Sequence, residues 1–319
     1  MKTLFIVNLV AGRGRTEREW PPLWQALQQK YAGQGLEMSV TAGPRDATRI
    51  AKEAAEQGFE RIVAVGGDGT LTEVADGVQQ ASSPAILAFV PTGAGCDFRR
   101  TAGIPQDVMA AAELALHGRA EPADIGTMSG TTFLNVAGVG FDAEVAAEDQ
   151  RLRNRYRATG TVPYLRAVLH ELWSYRPREM RIVADGVTYG GRFLLVAVGN
   201  AQYYGGGMRI VPTASLQDGM LDVLMAGDYN VPQTLALLPR VYSGSHLTSR
   251  KIRVVRCRNL SIEATPEASV HRDGEIGGRT PVEFGVIPNA LNLVYGPTPA
   301  KGAKVQDDGA HAMVPPQTD

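Results

Sequence analysis

Val63-Ala64-Val65-Gly66-Gly67-Asp68-Gly69-Thr70-Leu71-Thr72-Glu73 is the stretch that decides the fold. Its apolar, β-branched opening, reaching back to Arg61, predicts a buried strand. Three glycines within four positions then surround one acid. Thr70 with Glu73 three residues on matches a capping box, so a helix is expected to start there. A strand that turns through glycines into a helix leaves backbone N–H groups pointing out of the helix N-terminus, where they favour an anion. Glycine lets the backbone come close to a phosphate. Asp68 in the same turn repels such a guest, a conflict that a divalent cation between them removes.

Working outward, residues 4–9 read as a buried strand, followed by the loop 10–15 and a helix carrying Trp20, Leu23, Trp24 and Leu27. Pro21 and Pro22 suit the first turn of that helix better than its middle. Residues 36–41 predict a strand, 46–57 a helix ended by Gly58, 85–90 a strand, and 104–116 a helix closed by Gly118. This alternation indicates an α/β domain with a mostly parallel sheet covered on both faces. From residue 132 the pattern changes to short strand candidates at 132–137, 180–185, 192–198, 221–225, 252–255, 260–264, 282–286 and 291–295. They suggest an antiparallel sandwich or barrel, interrupted by one helix through Val162, Leu165, Val168, Leu172 and Trp173. The expected division is residues 1–125, residues 126–296 and a loose tail at 297–319.

Size and composition fit a globular protein: 319 residues, 44% hydrophobic, 20% charged, formal net charge −1. That balance gives no argument for nucleic-acid binding. Cys96 and Cys257 form no disulfide or metal framework, so a reducing cytoplasm is the expected compartment. No apolar run nears the roughly 18 residues of a membrane span. The apolar start at residues 3–7 is broken by Asn8 and followed by Gly12-Arg13-Gly14-Arg15, which reads as a strand and loop, not a signal peptide.

Three further clusters join glycine to acid. Pro91-Thr92-Gly93-Ala94-Gly95-Cys96-Asp97-Phe98 again leaves a strand end through a glycine loop with one Asp. In a parallel sheet such loops share one edge, so residues 66–70, 92–97 and 8–15 are expected to face one ligand, with Arg13 or Arg15 reaching a phosphate oxygen. No GxxxxGK[ST] segment exists, which excludes an ordinary P-loop. Asn135-Val136-Ala137-Gly138-Val139-Gly140-Phe141-Asp142 is the third cluster, and His271-Arg272-Asp273-Gly274-Glu275 the fourth. Two acids flanking a glycine suit a general base beside a metal or lysine partner, and equally suit the tip of a hairpin.

With these motifs in order, plus Asp124-Ile125-Gly126 and Gly205-Gly206-Gly207 through Asp218-Gly219-Met220-Leu221-Asp222, the sequence resembles the diacylglycerol kinase catalytic family in its bacterial lipid kinase branch. Sphingosine, ceramide and NAD kinases are related. The resemblance implies an N-terminal α/β nucleotide-binding domain, a C-terminal β-sandwich domain and an active site in the cleft between them. It implies an ATP- and magnesium-dependent kinase phosphorylating the hydroxyl of diacylglycerol or a similar lipid. ATP would contact Asn8, Gly12, Arg13, Gly14, Gly66, Gly67, Asp68, Gly69, Thr70, Thr92, Gly93 and Gly95. Asp68, Asp97 and Asp124 would form an acidic network for magnesium, joined by Glu275. Asp273 would be the general base, and Asp218 with the Met220 carbonyl a second, structural metal position. Phosphoryl transfer asks for this combination of positioning, charge neutralisation and a base.

The chain departs from the family pattern in the Cys96 motif and in the segment from Asn8 to Arg15. Cys96 stands where the family has Asn, and Asn8-Leu9 where it has Asn-Pro; an expected lysine is replaced by Arg13 or Arg15, which keeps the charge. The alternatives are a kinase of a soluble acceptor, as in NAD kinases, and a binding regulator whose catalysis lapsed through Cys96. The partner implied is a lipid at a membrane surface, met peripherally at the inner face; a homodimer stays open. Arg151, Arg153, Arg155, Arg157 and Arg166 form one basic patch, and Arg250, Lys251, Arg253, Arg256 and Arg258 another. Both suit anionic headgroups or plain solvated surface.

Overall fold

The computed structural model describes residues 1–156 and 161–297, without the side chains of 153–156 and 161–165. The expected tail beyond residue 297, Arg157, and the side chains of Arg153 and Arg155 lie outside the described residues.

The chain begins β1 (Thr3–Val7), α1 (Ala11–Lys30), β2 (Leu36–Val40), α2 (Asp46–Glu56), β3 (Arg61–Gly66), α3 (Asp68–Gln80) and β4 (Ile86–Pro91). The short α4 (Phe98–Ala102) and α5 (Val108–His117) follow. Strands β2, β1, β3 and β4 pair in parallel in that spatial order. β1 and β3 are buried along their whole length, as central strands covered on both faces must be. Their side chains join Trp20, Leu27, Leu71 and Phe89 in one core.

Two local expectations change here. Gly12, Arg13 and Gly14 take left-handed conformations (φ 61, 63 and 77°), so they form a loop inside the span of α1. Pro21 and Pro22 then lie within the helix and not in its first turn. The helix hydrogen bonds they forfeit are offset by packing of Trp20 and Trp24 on Phe5, the latter edge-on at 5.2 Å. In the opening stretch, α3 begins at Asp68 with Gly67 as N-cap, and the Thr70–Glu73 capping box does not form. Thr70 Oγ1 instead accepts a hydrogen bond from Asn8 Nδ2 at 3.0 Å, fastening the end of β1 to the turn.

The second half runs β5 (Ala120–Met128), β6 (Thr131–Phe133), β7 (Val136–Gly140), α6 (Phe141–Tyr156), α7 (Thr161–Ser174), β8 (Arg178–Ala184) and β9 (Val187–Gly199). It continues with β10 (Leu221–Gly227), α8 (Val231–Ser243), β11 (Ile252–Cys257), β12 (Asn259–Thr265), β13 (Ser269–Arg272), β14 (Glu275–Arg279) and β15 (Val282–Val294). The strands of this half pair antiparallel with one another, in the spatial order β14-β13-β7-β9-β8-β12-β15, with β10 and β11 branching from β9. They enclose Phe133, Ile182, Val196, Val223, Ile262 and Phe284. A third apolar cluster lies where α6, α7 and α8 cover the sheet's other face.

One helix was expected in this half, at 162–173; α7 is that helix, and α6 and α8 are additional. The single strand expected at 132–137 splits into β6 and β7, because the N–H groups between them turn to a carboxylate described below. β15 is much longer than its two expected pieces. It pairs antiparallel with β12 and β5, then pairs in parallel with β4 at Asn292 and Leu293. One strand thus ties the sandwich to the first sheet.

Candidate active site

The carboxyl ends of β1, β3 and β4 bring the three glycine loops together. The N–H groups of Thr92 and Gly93 donate to the Gly66 carbonyl at 2.8 and 2.9 Å, and Thr16 Oγ1 donates to Thr92 Oγ1 at 2.6 Å. The loops approach so closely that a Cβ on Gly93 would sit 2.5 Å from the Gly67 Cα, and one on Gly12 2.3 Å from the Thr92 carbonyl oxygen. Gly69 and Gly95, by contrast, face open space within 4 Å of a built Cβ. Glycine therefore serves two ends in one motif: contact between turns at 12 and 93, and access to the backbone at 69 and 95. No side chain caps α3, so its first N–H groups are left for an anion.

Asp68 does not point into that open space. Its carboxylate accepts hydrogen bonds from the N–H groups of Asp97 (2.8 Å) and Phe98 (3.1 Å), joining the first glycine turn to the second. Burial, with the charges of Asp97 and Asp273 adding to it, pushes its pKa up to about 7. Asp97 is buried, and its Oδ2 accepts from the Gly206 N–H at 2.7 Å across the cleft. Its Oδ1 has no hydrogen-bond partner; Arg100 Nε lies 3.5 Å away. Burial raises the Asp97 pKa.

Asp273 lies in the tight turn between β13 and β14, with Asp273 and Gly274 at φ 47° and 83°. The fourth cluster is a hairpin tip, and that tip projects a carboxylate into the cleft. Asp273 Oδ1 accepts from the N–H groups of Asn135 (2.9 Å) and Val136 (3.2 Å). Oδ2 accepts from the Leu134 N–H (2.9 Å) and from Thr72 Oγ1 of α3 (3.0 Å). Burial raises its pKa against the pull of these donors.

The remaining residues named from sequence fall elsewhere. Glu275 is exposed, 3.7 Å from Arg272 in an ion pair. Asp124 is fully buried, and its two oxygens take the N–H groups of Gly219 (2.7 Å) and Asn289 (2.8 Å). Its charge acts on Asp218, which is bound by the Arg256 guanidinium and accepts from the Met220 N–H at 3.1 Å. Asp68, Asp97 and Asp273 thus form one electrostatic group, while Asp124 and Asp218 form another. Cys96 is buried between the two glycine turns, where its Sγ lies 3.7 Å from the Gly66 carbonyl; burial pushes its thiol up to about 12, so it stays protonated. Arg15 pairs with Glu19 at 2.7 Å.

Sequence reasoning missed Thr72, the Gly206 N–H and the three amides around Leu134 as carboxylate partners. Backbone donors carry no residue signature, and in the sequence Thr72 shows only as part of a helix start. It also missed a partly open apolar cavity of about 60 Å³ in the second half. Phe141, Val168, Leu194, Met208, Leu237 and Val241 line it, with Asp142 and Tyr204 among its few polar groups. Asp142 Oδ2 meets His271 Nε2 at 3.2 Å, both side chains being buried, and Tyr204 stacks on the His271 ring. His271 stands two residues before Asp273, so the cavity lies close to the cleft carboxylates.

Residues 2–128 match the family described as diacylglycerol kinase catalytic domain, and residues 135–295 the one described as YegS C-terminal NAD kinase beta sandwich-like domain. The chain is 30% identical over 305 residues to a diacylglycerol kinase of Bacillus subtilis (strain 168), covering 95% of this chain and 98% of that protein. It is 36% identical over 267 residues to a "Probable lipid kinase YegS-like" of Pseudomonas aeruginosa (strain UCBPP-PA14), covering 83% and 86%. Two crystal structures from Bacillus anthracis str. Sterne superpose with TM-scores of 0.74 and 0.68, at 28% and 25% identity, each covering 93% of this chain and 97% of the other. The second is described as a diacylglycerol kinase, the first provisionally so.

Proposed function

The chain is a lipid kinase of the diacylglycerol kinase catalytic family, and we propose that it transfers the γ-phosphate of ATP, with magnesium, to the hydroxyl of diacylglycerol or a similar lipid. The observation that carries this reading is the placement of Asp273. It faces, from the sandwich domain, the glycine turns and carboxylates of the α/β domain.

ATP phosphates would lie against the uncapped start of α3 and the open sides of Gly69 and Gly95. The residues present fit a divalent cation. Asp97 Oδ1 is a buried carboxylate oxygen without a hydrogen-bond partner, and burial together with the charges of Asp97 and Asp273 pushes the Asp68 carboxyl up to about 7. Asp68 and Asp97 would hold the cation, which when bound would neutralise phosphate charge and permit both carboxylates to ionise. Asp273, kept oriented by its four donors, would accept the proton of the lipid hydroxyl as that oxygen attacks phosphorus. The apolar cavity beside His271 would take acyl chain and exclude water from the acceptor.

A membrane would be met on the side of α7 and α8. Both helices line the cavity, and they expose Leu169 and Trp173, and Leu235 and Tyr242, to solvent. No acid occurs from Val231 to Lys251, where Arg240, Arg250 and Lys251 lie. Charge and apolar side chains there suit an anionic bilayer.

Labelled ATP offered with a panel of lipids and with NAD tests the assignment. Phosphate is expected on a lipid hydroxyl, and Asp273→Asn should lower kcat by at least about a hundredfold. Phosphorylation of NAD alone, or full activity in Asp273→Asn, would overturn the lipid substrate or the base respectively.

A further inference from the structure

Two hydrogen bonds cross the cleft in opposite directions. Asp97 belongs to the α/β domain and is held by the Gly206 N–H of the sandwich domain, at 2.7 Å. Asp273 belongs to the sandwich domain, and one of its four donors, Thr72 Oγ1 at 3.0 Å, belongs to the α/β domain. Each domain therefore orients a carboxylate of the other.

The four donors to Asp273 do different jobs. The N–H groups of Leu134, Asn135 and Val136 lie in the sandwich domain's own chain and fix the carboxylate only relative to that domain. Thr72 lies on α3, one turn beyond the uncapped N–H groups that face the phosphate position. An α-helix is stiff over one turn, rising 1.5 Å per residue, so α3 sets a fixed span between its N-terminus and the Thr72 hydroxyl. Thr72 is buried, which limits its own freedom.

We infer that Thr72 is a positioning residue, which sets the distance between Asp273 and the transferred phosphate by tying the base to the helix that binds the donor. This rests on Asp273 being the base. Misplacing reacting groups by about 1 Å costs on the order of a hundredfold in rate, so a single hydroxyl at this point carries weight.

Steady-state kinetics on the full chain test it. Thr72→Val keeps the shape and deletes the hydroxyl; kcat is expected to fall about tenfold to a hundredfold while the KM for ATP stays unchanged. Thr72→Ser, which keeps the hydroxyl, should restore kcat, and Thr72→Ala should repeat the loss if valine disturbs folding. A merely structural role would lower the melting temperature without separating kcat from KM. Wild-type kcat in both Thr72→Val and Thr72→Ala would overturn the inference. Asp273→Asn assayed alongside separates the two readings: if it is inactive while the Thr72 variants are not, only the positioning role fails. If Asp273→Asn is itself active, the base assignment fails first.

Discussion

Asp68 is half-buried beside Asp97 and Asp273, and desolvation with their charges raises its carboxyl to about 7 from the ordinary value of 3.8. The folded protein therefore holds a proton that the unfolded chain releases between these two values. Stability from this group is fully present below about pH 4 and is lost as pH rises through about 7. Thermal melting without divalent ions is expected to show a decline from about pH 4 to about pH 7 that Asp68→Asn flattens. Magnesium should raise the melting temperature of the unmodified chain most at the upper end, where the carboxylate is charged. A melting profile identical in the two proteins, or one indifferent to magnesium, would contradict this account. None of these partners could be read from the motif: Gly-Gly-Asp-Gly-Thr shows an acid among glycines, but not that its oxygens face the Asp97 and Phe98 amides.

The glycine turns behave as interlocking elements, and their tolerance of substitution differs accordingly. Gly93→Ala places a methyl 2.5 Å from the Gly67 Cα, backbone against backbone, where neither side yields easily. We expect a loss of about 1–3 kcal/mol in stability, together with weaker ATP binding, both measurable by denaturation and calorimetry. Gly95→Ala meets nothing within 4 Å and should leave stability unchanged while lowering ATP affinity. Equal effects of the two substitutions on stability would refute the distinction. At this scale much was legible in the sequence, since β-branched runs predicted β1, β3 and β4 and the apolar spacing predicted α7. The helix α8 was overlooked although Asn230, Pro232 and Gln233 carry a capping signal, and the structure forms that capping box in full. The break between β6 and β7 left no local trace, because its cause is Asp273, 138 residues beyond Asn135.

For the whole molecule, the working surface combines a cleft, an apolar cavity and two helices with exposed apolar side chains. Trp173 is 67% exposed, whereas Trp20 and Trp24 are buried, so emission from Trp173 reports on that face. Vesicles containing phosphatidylglycerol should shift it to the blue, and phosphatidylcholine alone should do so less. Replacing both Trp173 and Leu235 with Ser should weaken vesicle binding by about tenfold or more. Activity on a lipid dispersed in detergent should persist. Undiminished vesicle binding, or a dimer dissolved by the same substitutions, would assign this face differently. By itself, the sequence determined the family, the alternation of the main strands and helices in the first half though not the short α4, and the acids at strand ends, because these follow from local periodicity and from short motifs. Only the tertiary structure decided which acids meet. Asp273 joins Asp68 and Asp97, while Asp124 faces Asp218, and Glu275 stays at the surface. The physical reason is that their partners are mostly backbone N–H groups and a hydroxyl from distant segments, aligned by sheet pairing and domain contact, which no residue pattern encodes.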